Sequence, residues 1–386
     1  MNPAPHSTAT SHLAQVFAQY PLEVVAADGV WLTGHDGRRV LDLYGGHAVA
    51  ALGYGHPRWI AALEQQARSV LFQTNAVPME VRERAATRLV NFAGLGLDQV
   101  FFINSGAEAN ENALRLAFKL TGRSEAVALE QGWHGRTAAA GAITWGAQEK
   151  WYGFPRTPFD VRWVSRSDID AACAGITAST ACVVVEPVQG VGGAFDIGSA
   201  MAQALRQRCD AVGALLIFDE VQSGMGRVGQ PFGANLYGVE PDMLTTAKAL
   251  GAGFPVSALL YGDRVRPAVK LEGLGTTFGG GPMACAIVEA VVDIIESEQL
   301  LANVRTVSDY IRASCQVGPV TGFQGAGFLL GLRTACPAKQ LQAFLLSRNI
   351  LTGTSGDAHV LRLLPPFTLR HEHVDLLRTA LAEFSA

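Results

Sequence analysis

The chain has 386 residues, 49% hydrophobic and 17% charged, with a formal net charge of −4. That apolar content can bury a large core, which points to one large domain with a smaller one beside it. The mild acidity disfavours nucleic acid or an anionic membrane surface as a general partner.

At the start, Met1 to Ser11 has neither a basic opening nor an apolar core, so it does not read as a secretory signal. Val30-Trp31-Leu32, the Asp36-Gly37 turn and Val40-Leu41-Asp42-Leu43 predict a hairpin. From Pro57 to about Phe72 the apolar residues fall at helical spacing. Val100 to Ile103 predicts a buried strand, followed by a helix over Ala107–Leu120. Further strands are expected at Ala126–Leu129, Val161–Val164, Ala181–Glu186 and Ala214–Asp219. Helical patterns between several of them predict crossovers and a mostly parallel sheet. Beyond that, Pro282–Ile295 predicts a long helix and Gly322–Leu332 Gly-rich strands. Leu361–Leu364 is one more strand, and His373–Phe384 a closing helix. The 42 glycines recur in short clusters, as in an α/β enzyme with tight strand-to-helix turns. The expected division is a large domain over 46–284 and a smaller α+β lobe from 1–45 and 285–386.

The six cysteines (Cys173, Cys182, Cys209, Cys285, Cys315, Cys336) form no C-x-x-C pair. That disfavours a disulfide framework or a zinc site, so no metal is expected, and it fits a reducing cytoplasm. Cys182 reads as a buried small hydrophobe. No apolar stretch is long enough to span a bilayer, which completes the expectation of a cytoplasmic protein.

Leu215-Leu216-Ile217-Phe218 ends in Asp219, and Lys248 follows among small residues with glycine just after it. Between them is room for one loop and a second strand. An acid at one strand end and a lysine at the next suit a pyridoxal phosphate enzyme. There the lysine forms the Schiff base and the acid pairs with the protonated ring nitrogen. Read alone, Asp219 could equally cap a helix and Lys248 could be a solvated loop residue.

Other segments extend the pattern. Asn104-Ser105-Gly106-Ala107-Glu108-Ala109-Asn110 lies at the end of a strand and opens a helix, where backbone N–H groups hold phosphate. Glu108 and Glu111 are equally readable as acids of a first helical turn. In Gly132-Trp133-His134-Gly135-Arg136-Thr137, Trp133 can stack on a flat ring and Arg136 can take a carboxylate bidentately. A packed tryptophan and a surface arginine compete with that reading. Gly275-Thr276-Thr277-Phe278-Gly279-Gly280-Gly281 is a flexible loop with hydroxyls for phosphate, or a plain hairpin.

Taken together, in this order and spacing, these segments resemble the class III (ornithine/acetylornithine) aminotransferases of fold type I, from about Tyr20 to the C-terminus. The resemblance implies an α/β fold and pyridoxal 5′-phosphate as cofactor. Lys248 would be the Schiff-base lysine and acid/base, Asp219 the partner of the pyridinium nitrogen, and Gln222 a neighbour of the ring hydroxyl. Trp133, where relatives usually carry Phe, would stack on the ring. Ser105, Gly106 and Ala107 would hold the phosphate, and Glu186 opens the family's Glu-Pro-x-Gln-Gly stretch. Thr277 would reach the phosphate of the neighbouring subunit's cofactor, which makes a homodimer with shared active sites obligatory. Arg136 would hold the donor's α-carboxylate and Arg362 the carboxylate of 2-oxoglutarate, with Tyr20 lining the pocket.

Three further positions depart from the pattern. Val191 stands where most relatives carry a glutamate that pairs with the second arginine when the donor binds. His47 replaces a Tyr or Ile that tunes the pocket, and Gly281 an Asn. His56, before Pro57, reads as a turn residue, and His134 as shaping the loop around Arg136. The pairing of Leu43–Val49 with Gln189–Gly193 resembles N-acylornithine aminotransferases. An Arg362 without its glutamate would suit a succinyl carboxylate.

The expected reaction moves the terminal amine of N-acetyl- or N-succinyl-L-ornithine to 2-oxoglutarate. It leaves the acylated semialdehyde and glutamate, as in arginine biosynthesis. Alternatives are another ω-aminotransferase (GABA, ornithine, putrescine or succinyldiaminopimelate) and, on the same scaffold, a mutase or decarboxylase. A non-catalytic binding protein would have no physical need of Lys248, Asp219 and Arg136 together.

Overall fold

The computed structural model describes residues 12–385, so the reading of Met1 to Ser11 lies outside it. A seven-stranded sheet forms the centre, in the spatial order Gln99–Ile103, Ser257–Tyr261, Met243–Thr246, Leu215–Asp219, Thr180–Val185, Glu125–Leu129 and Asp160–Val164. The run from Met243–Thr246 to Asp160–Val164 is parallel, as expected. Ser257–Tyr261 is antiparallel to both of its neighbours. The middle strands Thr180–Val185 and Leu215–Asp219 are buried at every position, which is why they read as unbroken apolar runs rather than alternating ones. Cys182 is fully buried there.

The hairpin forms from Trp31–Gly34 and Arg39–Asp42, with Leu32 opposite Val40. An unanticipated strand, Val24–Asp28, pairs on its outer side. Arg39–Asp42 also pairs in parallel with Ile350–Leu351, tying the two ends of the chain together. Near the C-terminus, Val320–Ala326, Leu329–Thr334, Val360–Leu363 and Gly353–Thr354 make a further four-stranded antiparallel sheet. The main core cluster joins residues from all of these regions.

Helix boundaries differ modestly from expectation. Pro57 opens a helix that ends at Ser69 rather than Phe72, because Val70 takes extended backbone (φ −138°). The helix after the first buried strand spans Gly106–Thr121, closed by left-handed Gly122. Pro282–Ser297 confirms the long apolar helix, and the closing helix is His371–Ala382. Among the described residues no helix is long and apolar enough to cross a membrane.

Candidate active site

Sheet topology builds the site. Leu215–Asp219 lies between Thr180–Val185 and Met243–Thr246, all running in the same direction. Their carboxyl ends therefore deliver Glu186, Asp219 and the turn carrying Lys248 to one edge, where ligands of parallel sheets bind. Asp219 sits opposite Thr245 in the register. All three residues line a cavity of about 360 Å³, together with Asn104, Ser105, Gly106, Ala107, Trp133, Val191 and Gln222.

Lys248 opens a single 3₁₀ turn and has φ +42°, a left-handed conformation that costs a lysine about 1–3 kcal/mol unless its surroundings impose it. Those surroundings are tight. Gly251 packs so closely on the Phe254 carbonyl that a Cβ would lie 2.0 Å from its oxygen. Trp59 Nε1 donates to the Gly251 carbonyl at 3.1 Å. Burial pushes the Lys248 ammonium below the usual lysine range. Asp219 and Glu186 oppose that shift, and Arg362 reinforces it. An amine so placed is poised as a nucleophile.

Asp219 is held by a buried network. His134 Nδ1 lies 2.7 Å and Asn110 Nδ2 2.8 Å from its Oδ2, and the Val221 N–H donates to Oδ1 at 3.1 Å. Asn110 Nδ2 also donates to the His134 carbonyl, and Asn110 Oδ1 accepts from Thr245 Oγ1 at 2.7 Å. Burial works against the His134 imidazolium, but the bond to Asp219 and its charge outweigh it and raise the pKa. Burial raises Glu186 as well, with His134 opposing. Glu186 Oε1 accepts the Trp133 N–H at 2.7 Å, and Oε2 accepts the Gly190 N–H.

Ser105 caps the Gly106–Thr121 helix, its Oγ accepting the Glu108 N–H. The N–H groups at the start of a helix have no intrahelical acceptor, and Gly106 and Ala107, at the start of this one, line the cavity. A Cβ on Gly106 would come within 2.7 Å of both Val221 methyls, so only glycine allows this approach. Glu108 and Glu111 do more than favour the helix dipole. Glu108 accepts the Asn104 N–H, and Glu111 accepts the Ala139 N–H at 2.7 Å. Gln222 Oε1, buried beside this space, has no partner. A phosphate cradle, a fixed carboxylate, a poised amine and an unpartnered acceptor together fit pyridoxal phosphate.

Val191 also lines a second, larger cavity of about 960 Å³ with Tyr20, Tyr44, His47 and Arg362. Arg362 is 4% exposed and lies between Gly331 and Gly353 in its sheet. A Cβ on Gly353 would stand 1.9 Å from the Tyr44 ring, so glycine makes room for that ring beside Arg362.

Two expected residues lie elsewhere. Arg136 is exposed and is not among the residues lining either cavity. Its guanidinium lies 4.5 Å from the Trp151 ring centroid and 5.1 Å from that of Trp133. Thr277 is exposed on its loop. His134 has a role beyond the loop around Arg136, since its ring is turned inward onto Asp219. Asn110 lies in the segment that the sequence singles out, but its bond to Asp219 is not foreseen there. The only sequence signal was a polar residue inside an otherwise apolar helical face. His56 precedes its helix as expected, with Nε2 3.2 Å from Glu298.

Residues 14–384 match the family model for class-III aminotransferases. The chain is 37% identical to an acetylornithine aminotransferase from Mesorhizobium japonicum, over 95% of each chain. It is 35% identical to one from Methanocaldococcus jannaschii, over 96% of this chain and 94% of that one. Among solved structures, the ornithine aminotransferase of Toxoplasma gondii superposes with a TM-score of 0.90 at 26% identity, covering 96% of this chain and 91% of that one. The acetylornithine aminotransferase of Elizabethkingia anophelis gives 0.85 at 25% identity, over 97% of each chain. With strand ends, amine and carboxylate arranged as described, the chain belongs to the class-III aminotransferases.

Proposed function

We propose that the protein is a pyridoxal phosphate-dependent aminotransferase that moves the terminal amine of an N-acylornithine to 2-oxoglutarate, a step suited to arginine biosynthesis. The observation that carries this is the opening of Lys248 and Asp219, from adjacent strand ends, onto one cavity. The similarity to acetylornithine aminotransferases over nearly the full length supports the donor.

When bound, the cofactor supplies the electron sink that lets a proton leave the carbon bearing the donor's amine. Lys248 Nζ, whose proton affinity burial lowers, is the base for that proton and returns it on the other side of the transfer. Asp219, fixed by His134 and Asn110, holds the ring nitrogen protonated. Ser105, Gly106 and Ala107 hold the phosphate, and Gln222 accepts from the ring hydroxyl. Trp133 covers the ring, and Glu186 orders that loop through its backbone. Arg362 takes the carboxylate of 2-oxoglutarate in the cavity it lines with Tyr20, His47 and Val191. Arg136, which rests against the Trp133 and Trp151 rings, would turn inward from there to take the donor's α-carboxylate.

A homodimer is part of this reading, with Thr277 reaching the neighbouring subunit's phosphate. Beside Thr277, Phe278 is 67% exposed and packs on exposed Phe72 at 5.4 Å, next to exposed Leu71. Such a patch suits burial by a second copy. The division into 46–284 and the lobe from 1–45 and 285–386 belongs to the same proposal, supported by the pairing of Arg39–Asp42 with Ile350–Leu351. A cytoplasmic location agrees with the six free cysteines.

The test adds N-acetylornithine, N-succinylornithine, ornithine or GABA singly to the purified holoenzyme without 2-oxoglutarate and follows the bound cofactor's absorbance. Rapid bleaching by an acylated donor, and its absence in Lys248→Ala, is expected. A coloured protein that responds only to GABA or ornithine would overturn the donor assignment.

A further inference from the structure

The turn that follows the N-terminal hairpin has a strained backbone. Gly45, Gly46, His47 and Ala48 have φ of +54°, +55°, +64° and +69°, the longest left-handed run among the described residues. Residues other than glycine and asparagine visit this region reluctantly, and singly rather than in runs. His47 and Ala48 therefore stay there only because their surroundings impose it. The turn also lies between the two cavities. Val49, at its end, lines the cavity of Lys248, and His47 lines the larger cavity of Arg362.

Its start is fixed by local contacts. Asp42 Oδ1 accepts the Tyr44 and Gly45 N–H groups, each at 2.8 Å. Gly45 packs so closely on the Leu364 carbonyl that a Cβ would stand 2.7 Å from its oxygen. Its far end is held by a residue distant in sequence. Arg227 is fully buried, with its guanidinium 4.6 Å from the Phe367 ring centroid. Nη2 donates to the Ala48 carbonyl at 3.3 Å, and Nη1 donates to the Pro365 carbonyl. The backbone behind this fork is fixed in turn, since the Arg227 carbonyl accepts the Phe328 N–H at 2.8 Å.

Arg227 has no ion-pair partner among the described residues, and its Nε has no partner at all. Burial pushes its pKa down to about 9, with Asp42 opposing. A buried guanidinium without a carboxylate beside it is costly, and Arg227 lines neither cavity. What it supplies is geometry, because a rigid fork reaches carbonyls of two separate segments at once.

We propose that Arg227 is a positioning residue whose guanidinium holds the Gly45–Ala48 turn left-handed, keeping Val49 and His47 in place against cofactor and substrate. The inference rests on the aminotransferase reading and adds to its machinery a residue that touches neither ligand. Without the bond to Ala48 the turn relaxes, and only the molecules that keep the left-handed form bind substrate well. Half-saturation then rises by the inverse of that fraction, while the molecules that do bind react at the normal rate.

The test is the donor half-reaction of the holoenzyme. It uses whichever of the four donors above bleaches wild type fastest, so the donor assignment can fail without touching it. Arg227→Met is expected to raise half-saturation about tenfold, with the limiting rate within about twofold and the cofactor's absorbance unchanged. Ala48→Gly removes the penalty on left-handed backbone. It should change wild type by less than about twofold, yet recover most of the loss in the Arg227→Met background. Arg227→Lys keeps the charge and one donor, so it should lose about threefold and be rescued in the same way. That variant carries the comparison if Arg227→Met does not fold. Equal effects of Ala48→Gly in both backgrounds would overturn the inference. So would an altered cofactor band, which would show Arg227 acting through Gln222 instead. A wild-type protein that no donor bleaches would overturn the aminotransferase reading itself, and this inference with it.

Discussion

Asn110 is the residue whose removal tests the site's architecture most sharply. It is 1% exposed, donates to Asp219 Oδ2 and the His134 carbonyl, each at 2.8 Å, and accepts from Thr245 Oγ1 at 2.7 Å. The bond to the carboxylate contributes about 2 kcal/mol and the two neutral bonds about 1 kcal/mol each. Asn110→Ala should therefore cost roughly 3–4 kcal/mol, with part of that arising because the Thr245 hydroxyl is left buried and unpaired. That origin makes a distinctive prediction. Thr245→Val should cost about 1 kcal/mol in the wild-type background, yet cost nothing or restore about 1 kcal/mol in the Asn110→Ala background. The assay is urea unfolding of the cofactor-saturated protein, followed by tryptophan fluorescence under conditions of demonstrated reversibility. Activity should fall about tenfold in kcat, because Asp219 loses one of the groups that orient it. If Thr245→Val costs the same in both backgrounds to within about 0.3 kcal/mol, the three groups do not act as a network and the reasoning fails.

Other perturbations reach different parts of the structure. Glu220 is fully buried, accepting the Gly233 and Ala234 N–H groups and the Ser223 hydroxyl, and burial pushes its pKa up to about 7 from 4.5. The folded state thus holds this proton more tightly, a contribution fully present below pH 4.5 and lost as pH rises to about 7, worth roughly 3 kcal/mol. The stability of wild type relative to Glu220→Gln should fall across that window, and a difference independent of pH would refute the assignment. A Cβ on Gly190 would lie 1.6 Å from Gln222 Oε1, so Gly190→Ala must swing that amide aside. About tenfold weaker cofactor binding is expected, with no further loss in Gly190→Ala/Gln222→Ala beyond Gln222→Ala alone; additive losses would show that Gly190 acts elsewhere. Trp151→Ala removes one ring from Arg136 and should raise donor KM about two- to fivefold, with kcat little changed and Phe restoring it. A fall in kcat alone would mean that Arg136 is not aimed by Trp151.

Much of this site is written locally. An all-apolar run ending in Asp219 marks a buried strand whose last side chain is an acid needing partners beyond the strand. Ser105 before a helix is a cap by its own chemistry, and glycine at 106 leaves the backbone open to close approach. The hairpin follows from an Asp-Gly turn between two apolar runs. Such signals are short-range, so they survive without knowledge of what packs against them.

What the sequence did not reveal depends on partners distant along the chain. Ser257–Tyr261 is a short, uniformly buried strand, and such a run carries no periodicity that could reveal its antiparallel direction. His134 and Asp219 meet only because the loop after Glu125–Leu129 folds across Thr180–Val185 to the next strand end. Asn110 joins them from a helix face, where a single amide looks like any tolerated polar residue until its three partners are in place. Arg136 could be named as a cation but not aimed, since two indoles from separate loops decide where its guanidinium lies. The chain by itself determined which groups stand at strand ends and helix starts, because burial and capping act within a few residues. Which of those groups touch was decided only when the sheet order brought their ends together.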